Sequence, residues 1–362
     1  MKTRIASHRL VLAHPFGLST GTSFERRSFS IEVKDADGVV GRGEATPLHY
    51  LGETPESLRK ALERGARFLA SEGEKVEEAL VFAATGHDER VASPLADLDA
   101  RLAAAIPGSA AARCAVSTAL HDLMGRRLAV SLQDLLGIEG APAPASFTVA
   151  LDALDAMMDR AREAVAAGFQ VLKVKLGRED GTGDIAIVKA IRSVHSGRLL
   201  VDANGGWSVE RACELAGPLT DLGVEAIEQP LPRGNPAGMA EVARRSPLPV
   251  LADEDSLDLA DLDRLPAELG GINVKLMKCG GILPALAMIR WARERGRRVM
   301  LGCMVQSSLG ITAAAHLAPL VDLADLDGAA LLANDPFEGM RFETGRIVLP
   351  LGPGVGAIPR GT

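Results

Sequence analysis

The stretch VLKVKLG, residues 171–177, sets Lys173 and Lys175 two apart in a segment that otherwise reads as a buried strand. Side chains two apart on a strand share one face, so both ammonium groups point the same way. Burying one lysine without a partner is costly, and a second beside it adds like-charge repulsion. Folding alone supplies no reason for the pair. Further along, Asp202, Glu228 and Asp253 each close a short apolar run, and Lys275 follows another. Carboxylates converging from three neighbouring strands suit a hard cation, and oxygen ligands with room for water or substrate suit Mg²⁺. A lysine acts as a base only when neutral, so its pKa has to fall toward the working pH. Lys173 beside Lys175, a nearby cation and partial burial all act in that direction. Lys175 and Lys275 on either side of a cation suggest removal of a proton next to a carboxylate or carbonyl, with Mg²⁺ stabilising the enediolate. If the second lysine returns the proton on the opposite face, the net result is epimerisation. The plainer reading is that the lysines only pair with the same carboxylates.

These side chains need a scaffold that brings strand ends together. From about residue 146 the chain runs as SFTVAL, QVLKVKLG, LLVDANG, VEAIEQPL, PVLADEDS, GGINVKLMK, RVMLGCMV and VDLADLDG, each followed by a helix-compatible stretch. The interval of about 25 residues is that of a βα unit, and eight of them close a (β/α)8 barrel of the TIM type. An open doubly wound sheet is the alternative, but no strand is followed by a dinucleotide fingerprint, and GRGEA and NGGW are too short and wrongly placed to be one. Active sites of barrels lie at the C-terminal ends of the strands. The charged residues fall there: Lys173 and Lys175 on strand two, Asp202 and Asn204 on three, Glu228 on four, Asp253 and Glu254 on five, Lys275 and Lys278 on six, Asp325 and Asp327 on eight.

Ahead of the barrel, RIASHRLVLA, RRSFSIEV and VVGRGEA alternate like strands, with DADG as a hairpin turn. Between the first two lies HPFGLSTGTSF, a Gly/Ser/Thr-rich stretch that reads as a mobile loop, and TPLHYLGETPE follows as a second loop. Ala/Leu/Glu-rich helices then extend to about residue 105, with Pro55 suited to a first turn. The expected division is an α+β cap over 1–112, with specificity loops at about 14–25 and 46–54, a barrel over 113–328, and a C-terminal segment, 329–362, that packs back on the cap.

At 362 residues the chain exceeds a single ordinary core, and 47% hydrophobic with 24% charged residues is typical of a globular protein. A net charge of −7 and the lack of a basic run with interleaved aromatics argue against nucleic acid as a partner. The scattered Cys114, Cys213, Cys279 and Cys303 suggest neither disulfides nor a thiolate zinc site, which fits a reducing compartment. The N-terminus lacks a signal-peptide core, and His316, Asp322, Asp325 and Asp327 interrupt the apolar segment 309–333, so no membrane span is expected and the reading is cytoplasmic.

The pieces KVK, DANGGW, EQPL, ADED and NVKLMKCGG, in that order, resemble the enolase superfamily, in particular its muconate-lactonizing branch, over nearly the whole chain. Within it, DLDG on strand eight makes the chain most similar to the dipeptide epimerases. The resemblance implies a modified, enolase-like barrel with its cap, Mg²⁺ on Asp202, Glu228 and Asp253, acid/base roles for Lys175 and Lys275, support from Lys173, and Asn204 and Glu254 behind the ligands. It further implies that Asp325 and Asp327 bind the α-ammonium of a dipeptide, a role in keeping with same-face carboxylates at a barrel mouth. Cys303 and Met304 in GCMVQSS would lie near the substrate's carboxylate end, and a homo-oligomer is plausible by the same likeness. Epimerases acting on Ala-Glu carry an arginine in the mobile first loop. Here Arg26 and Arg27 come at its end, on the next strand, which tells against an acidic second residue and leaves an uncharged or cationic side chain open, the latter if Glu25 faces the site.

The expected function is therefore Mg²⁺-dependent inversion of the α-carbon of the C-terminal residue of an L,L-dipeptide. An o-succinylbenzoate synthase or N-acylamino acid racemase would use the same lysines and metal on a substrate without a free amine, and gains nothing from Asp325 and Asp327. A catalytically silent metal- or peptide-binding scaffold has no need of two lysines aimed at a cation.

Overall fold

A computed structural model describes residues 1–18, 21–73, 75, 76, 78, 92–177 and 183–361. The eight expected barrel strands are all present: β4 (Ser146–Val149), β5 (Val171–Lys175), β6 (Arg198–Asp202), β7 (Val224–Glu228), β8 (Val250–Ala252), β9 (Gly271–Val274), β10 (Arg298–Gly302) and β11 (Leu323–Asp325). They lie in chain order and all neighbours are parallel. Their Val, Ile and Leu runs, buried on both faces, are what a parallel sheet covered by helices requires. The ring closes where Ala145 bridges Ala324 and the Ala324 amide donates to the Pro144 carbonyl at 3.0 Å.

The helices do not all match the ideal repeat. After β8 there is only the four-residue helix Leu259–Leu262, and after β11 a 3-10 turn, Asp327–Ala329, replaces a helix. The long helix Ala110–Leu128 precedes β4 and packs on the cap. Residue 113, the expected start of the barrel, lies inside this helix.

The cap is a three-stranded antiparallel sheet of β1 (Lys2–Leu18), β2 (Gly21–Lys34) and β3 (Val40–Ala45), with helices Pro55–Ser71 and Ala92–Ala105. Thr54 caps the first of these helices and Pro55 opens it, as expected. The stretch 14–25, expected to be a loop, is instead strand wherever it is described: Phe16 pairs with Ser23, Gly17 with Thr22 and Leu18 with Gly21. Ser19 and Thr20 lie outside the described residues. The arm is held from outside its own sequence, because Ala13 N–H donates to Leu331 O, Ala333 N–H to Val11 O and Leu151 N–H to Gly17 O. A local reading of Gly, Ser and Thr cannot see those partners. The stretch 46–54 is a loop containing the 3-10 turn His49–Leu51. No helix among the described residues is long and apolar enough to cross a membrane.

Candidate active site

β6, β7 and β8 are neighbours, and Asp202, Glu228 and Asp253 stand at or just past their C-terminal ends, all buried. One carboxylate oxygen from each lies within 4.8 Å of the others. β5 and β9 lie four places apart in the ring, hence on opposite sides, and carry Lys175 and Lys275 at their ends. Lys175 Nζ donates to Asp202 Oδ2 at 2.6 Å and Lys275 Nζ to Asp253 Oδ2 at 2.7 Å. Gly302, ending β10, leaves room for the second lysine, since a Cβ there would stand 2.9 Å from Lys275 Cε.

Lys173 is only 1% exposed, and its Nζ lies 3.0 Å from Asp202, 2.7 Å from Glu228 and 2.9 Å from Asp325. Burial does act to lower the Lys173 pKa, but Asp325, Glu228 and Asp202 outweigh it and hold the ammonium well above its ordinary value. Lys275 is likewise raised, as Asp253 outweighs its burial. Like charge from a neighbouring lysine is the lesser effect where carboxylates are in direct contact.

The carboxylates of Asp202, Glu228, Asp253, Glu254, Asp325 and Asp327 outnumber the ammonium groups of Lys173, Lys175, Lys275 and Lys278 in this buried mouth. Their titration reflects the imbalance. Burial pushes Asp202 up, but Lys175 and Lys173 bring it down to about 2. Burial and then Asp202 push Glu228 up to about 7, burial and then Asp253 do the same to Glu254, and burial and then Asp325 to Asp327. Glu254 Oε2 is buried without a hydrogen-bond partner among the described residues. An all-oxygen set with surplus negative charge and an unmatched carboxylate oxygen fits a hard divalent cation.

Asp325 and Asp327 come from β11 and the turn after it, and are anchored by the first barrel strand: Ser146 Oγ donates to Asp325 Oδ1 at 2.7 Å and Thr148 N–H to Asp327 Oδ2 at 2.6 Å. Asn204 reaches Glu254 Oε1 at 3.2 Å. Asn204 and Gln229, just past β6 and β7, have φ of 43° and 35°, conformations that cost energy in non-glycine residues and cluster at functional sites. Cys303 and Met304 line the same cavity of about 440 Å³ as the lysines, Asp253, Asp325 and Asp327. Every expected site residue is thus gathered at one rim.

Several further residues bear on the site without a signal of their own in the amino-acid sequence. Lys278 Nζ donates to Asp253 Oδ1 at 2.5 Å and to the carbonyls of Asp253 and Asn273. Asn273 Nδ2 holds Glu228 Oε1 at 2.7 Å. From the cap, Phe16, Leu48 and Tyr50 line the cavity, and so does Arg26, which is on β2 as expected. Glu25 is not among the lining residues: it is exposed and pairs with Arg9 at 2.5 Å, so it supplies no acidic group to the site.

Together the fold and the site define a barrel enzyme whose rim joins a carboxylate cation site to opposed lysines. The N-terminal domain model of mandelate racemase / muconate lactonizing enzyme matches residues 1–137, and the enolase C-terminal domain-like model matches 156–360. The chain belongs to this family of the enolase superfamily. It is 35% identical to the L-Ala-D/L-Glu epimerase of Bacteroides thetaiotaomicron over 99% of this chain and 88% of that one. Its fold matches the dipeptide epimerase of Cytophaga hutchinsonii, solved with Mg and D-Ala-L-Val, with a TM-score of 0.87 at 26% identity over 99% and 95% of the two chains. It also matches that of Methylococcus capsulatus, solved with Mg and L-Arg-D-Lys, with a TM-score of 0.86 at 32% identity over 99% and 100%.

Proposed function

We propose that this chain is a Mg²⁺-dependent dipeptide epimerase, an isomerase that inverts the α-carbon of the C-terminal residue of an L,L-dipeptide, with Lys175 and Lys275 as its two bases. The observation that carries the reading is the placement of those lysines on opposite strands of one barrel, flanking a carboxylate trio and sharing a cavity with Asp325 and Asp327. The relatives solved with Mg and a dipeptide support it.

In one direction Lys175 Nζ takes the α-proton from one face, and Lys275 Nζ returns a proton to the other. The reverse exchanges the roles, and each lysine has a carboxylate partner within hydrogen-bond reach to orient it. Asp202, Glu228 and Asp253 would hold the cation, with Lys173 and Asn273 fixing their orientation. When bound, the cation supplies positive charge next to the oxygen on which negative charge develops. Asp325 and Asp327 take the α-ammonium, and Cys303 and Met304 border the carboxylate end.

Incubation of a mixed L,L-dipeptide library with Mg²⁺ in D₂O should place deuterium at one α-carbon, read by mass spectrometry. If only N-succinyl amino acids exchange, the ammonium role of Asp325 and Asp327 is wrong and the racemase reading replaces this one.

Overall similarity does not set the dipeptide, because the relatives named above act on or bind quite different ones. The lining of the cavity decides it. Among the described residues, Arg26 is the one Lys or Arg that the cap contributes to that lining, beside Phe16, Leu48 and Tyr50, and none of them places a cap carboxylate there. Arg26 lies on β2 and still lines the cavity, so, against the expectation from the first loop, an acidic dipeptide side chain is the matching partner. Library members with Asp or Glu should exchange fastest, and Arg26→Ala should lower their kcat/KM by about ten- to a hundredfold while sparing apolar members. Equal losses for all members would count against the assignment.

A further inference from the structure

The motif GRGEA, residues 41–45, is no dinucleotide loop, and nothing in the reaction above uses it. Its alternation nonetheless has a physical content. A Cβ on Gly41 would stand 2.1 Å from Ala119 O, and one on Gly43 would stand 1.9 Å from Ala115 O. The two glycines therefore let β3 lie directly on the backbone of helix Ala110–Leu128. Glu44 points to the opposite face of the strand, toward the barrel.

Glu44 is 2% exposed. Its carboxylate accepts from Ser307 N–H at 3.1 Å, Ser307 Oγ at 2.5 Å and Gly310 N–H at 3.0 Å. These donors belong to the start of helix Ser308–Ala315, where backbone N–H groups lack partners within the helix. A Cβ on Gly310 would come within 3.1 Å of Glu44 Oε2 and 2.2 Å of Gln306 Nε2, so the glycine keeps the approach open. From the other side Asp335 accepts from Ser308 N–H at 2.9 Å and Ser308 Oγ at 2.6 Å. The loop between β10 and this helix is thus clamped by two carboxylates from outside the barrel. That loop carries Cys303, Met304 and Val305, all lining the substrate cavity, and Thr46, two residues beyond Glu44, lines it too.

A buried carboxylate is poor glue, because its desolvation offsets much of what its hydrogen bonds contribute. What it supplies is geometry. We propose that Glu44 is a positioning residue: through Ser307 and Gly310 it sets the loop 303–307 against the substrate, so that docking of the cap and binding of the dipeptide are coupled. The substrate part of this inference rests on the dipeptide epimerase reading.

The test compares the wild type with Glu44→Gln and Ser307→Ala. Glutamine keeps the shape but turns an NH₂ toward the donors. With whichever dipeptide exchanges, KM should rise about tenfold in Glu44→Gln with kcat within about threefold, the split expected when binding rather than chemistry is lost. The Mg²⁺ dissociation constant by calorimetry should not move. Independently of any substrate, iodoacetamide should alkylate Cys303 several-fold faster in the variant, while buried Cys114 and Cys279 keep their rates as a control on the fold. A folded Glu44→Gln with wild-type KM and wild-type Cys303 reactivity would overturn the proposal. Should that variant fail to fold, Ser307→Ala decides, with the same directions and smaller size. If the wild type turns over no dipeptide, the epimerase reading fails, and the Cys303 rates still judge the role of Glu44.

Discussion

Lys275→Ala and Lys175→Ala should each lower epimerisation by about 10²–10⁴-fold, the usual contribution of a positioned acid or base. The more telling result is what remains. In a two-base reaction each lysine serves one face of the α-carbon, so each variant should still exchange the α-hydrogen of one epimer with D₂O and should have lost exchange of the other. The geometry requires the two variants to be complementary, since β5 and β9 lie opposite one another in the ring. Removal of either ammonium also takes one of two lysine partners from a buried carboxylate, leaving Lys173 on Asp202 or Lys278 on Asp253, so a thermal melt and a Mg²⁺ titration have to accompany the kinetics. If one variant lost exchange of both epimers while the other kept both, one lysine would be doing all the chemistry and the two-base reading would be wrong. A wild type that binds Mg²⁺ but exchanges nothing would point to the silent scaffold.

Much of this site is legible in the amino-acid sequence because parallel barrel strands announce themselves twice. Their middles are continuous runs such as LLV and INV, and their ends are the places where a charge can meet solvent or substrate. Asp202, Glu228, Asp253 and Lys275 each terminate such a run, so type and place are readable together. What escapes is set by partners distant in sequence. Residues 14–18 and 21–25 have the composition of a loop, and become strand because Leu331 and Ala333 pair with the arm near its base while Leu151 meets Gly17 near its tip. Ser146 and Thr148 look like ordinary strand polar residues until β11 closes beside β4 and brings Asp325 and Asp327 onto them. What keeps Lys173 charged is hidden for a related reason: the near neighbour Lys175 is visible in the sequence, whereas the three carboxylates around Lys173 come from three other strands.

Chelation should abolish activity, and added Mg²⁺ should restore it and raise the melting temperature. A ligand that binds only the folded chain stabilises it by RT ln(1 + [L]/Kd), about 2.7 kcal/mol at a hundred times Kd, which for a chain of this size is a shift of several degrees. The pH dependence has a definite sign. Burial and Asp202 push the Glu228 carboxyl up to about 7, and proton and cation compete for its oxygens. Mg²⁺ affinity should therefore rise as pH increases through that value, with protons released on binding, and calorimetry in buffers of different ionisation enthalpy would count them. Glu228→Gln keeps the volume and removes the charge. It should weaken Mg²⁺ by more than the roughly 10–100-fold that loss of an outer partner of a metal ligand costs. It should also weaken the pH dependence, because one of the carboxyls that titrate near 7 is gone while Glu254 and Asp327 remain. Affinity for Mg²⁺ that ignores both pH and Glu228→Gln would place the cation somewhere other than on Asp202, Glu228 and Asp253. Melting indifferent to Mg²⁺, together with activity that survives the chelator, would remove the cation from the mechanism altogether.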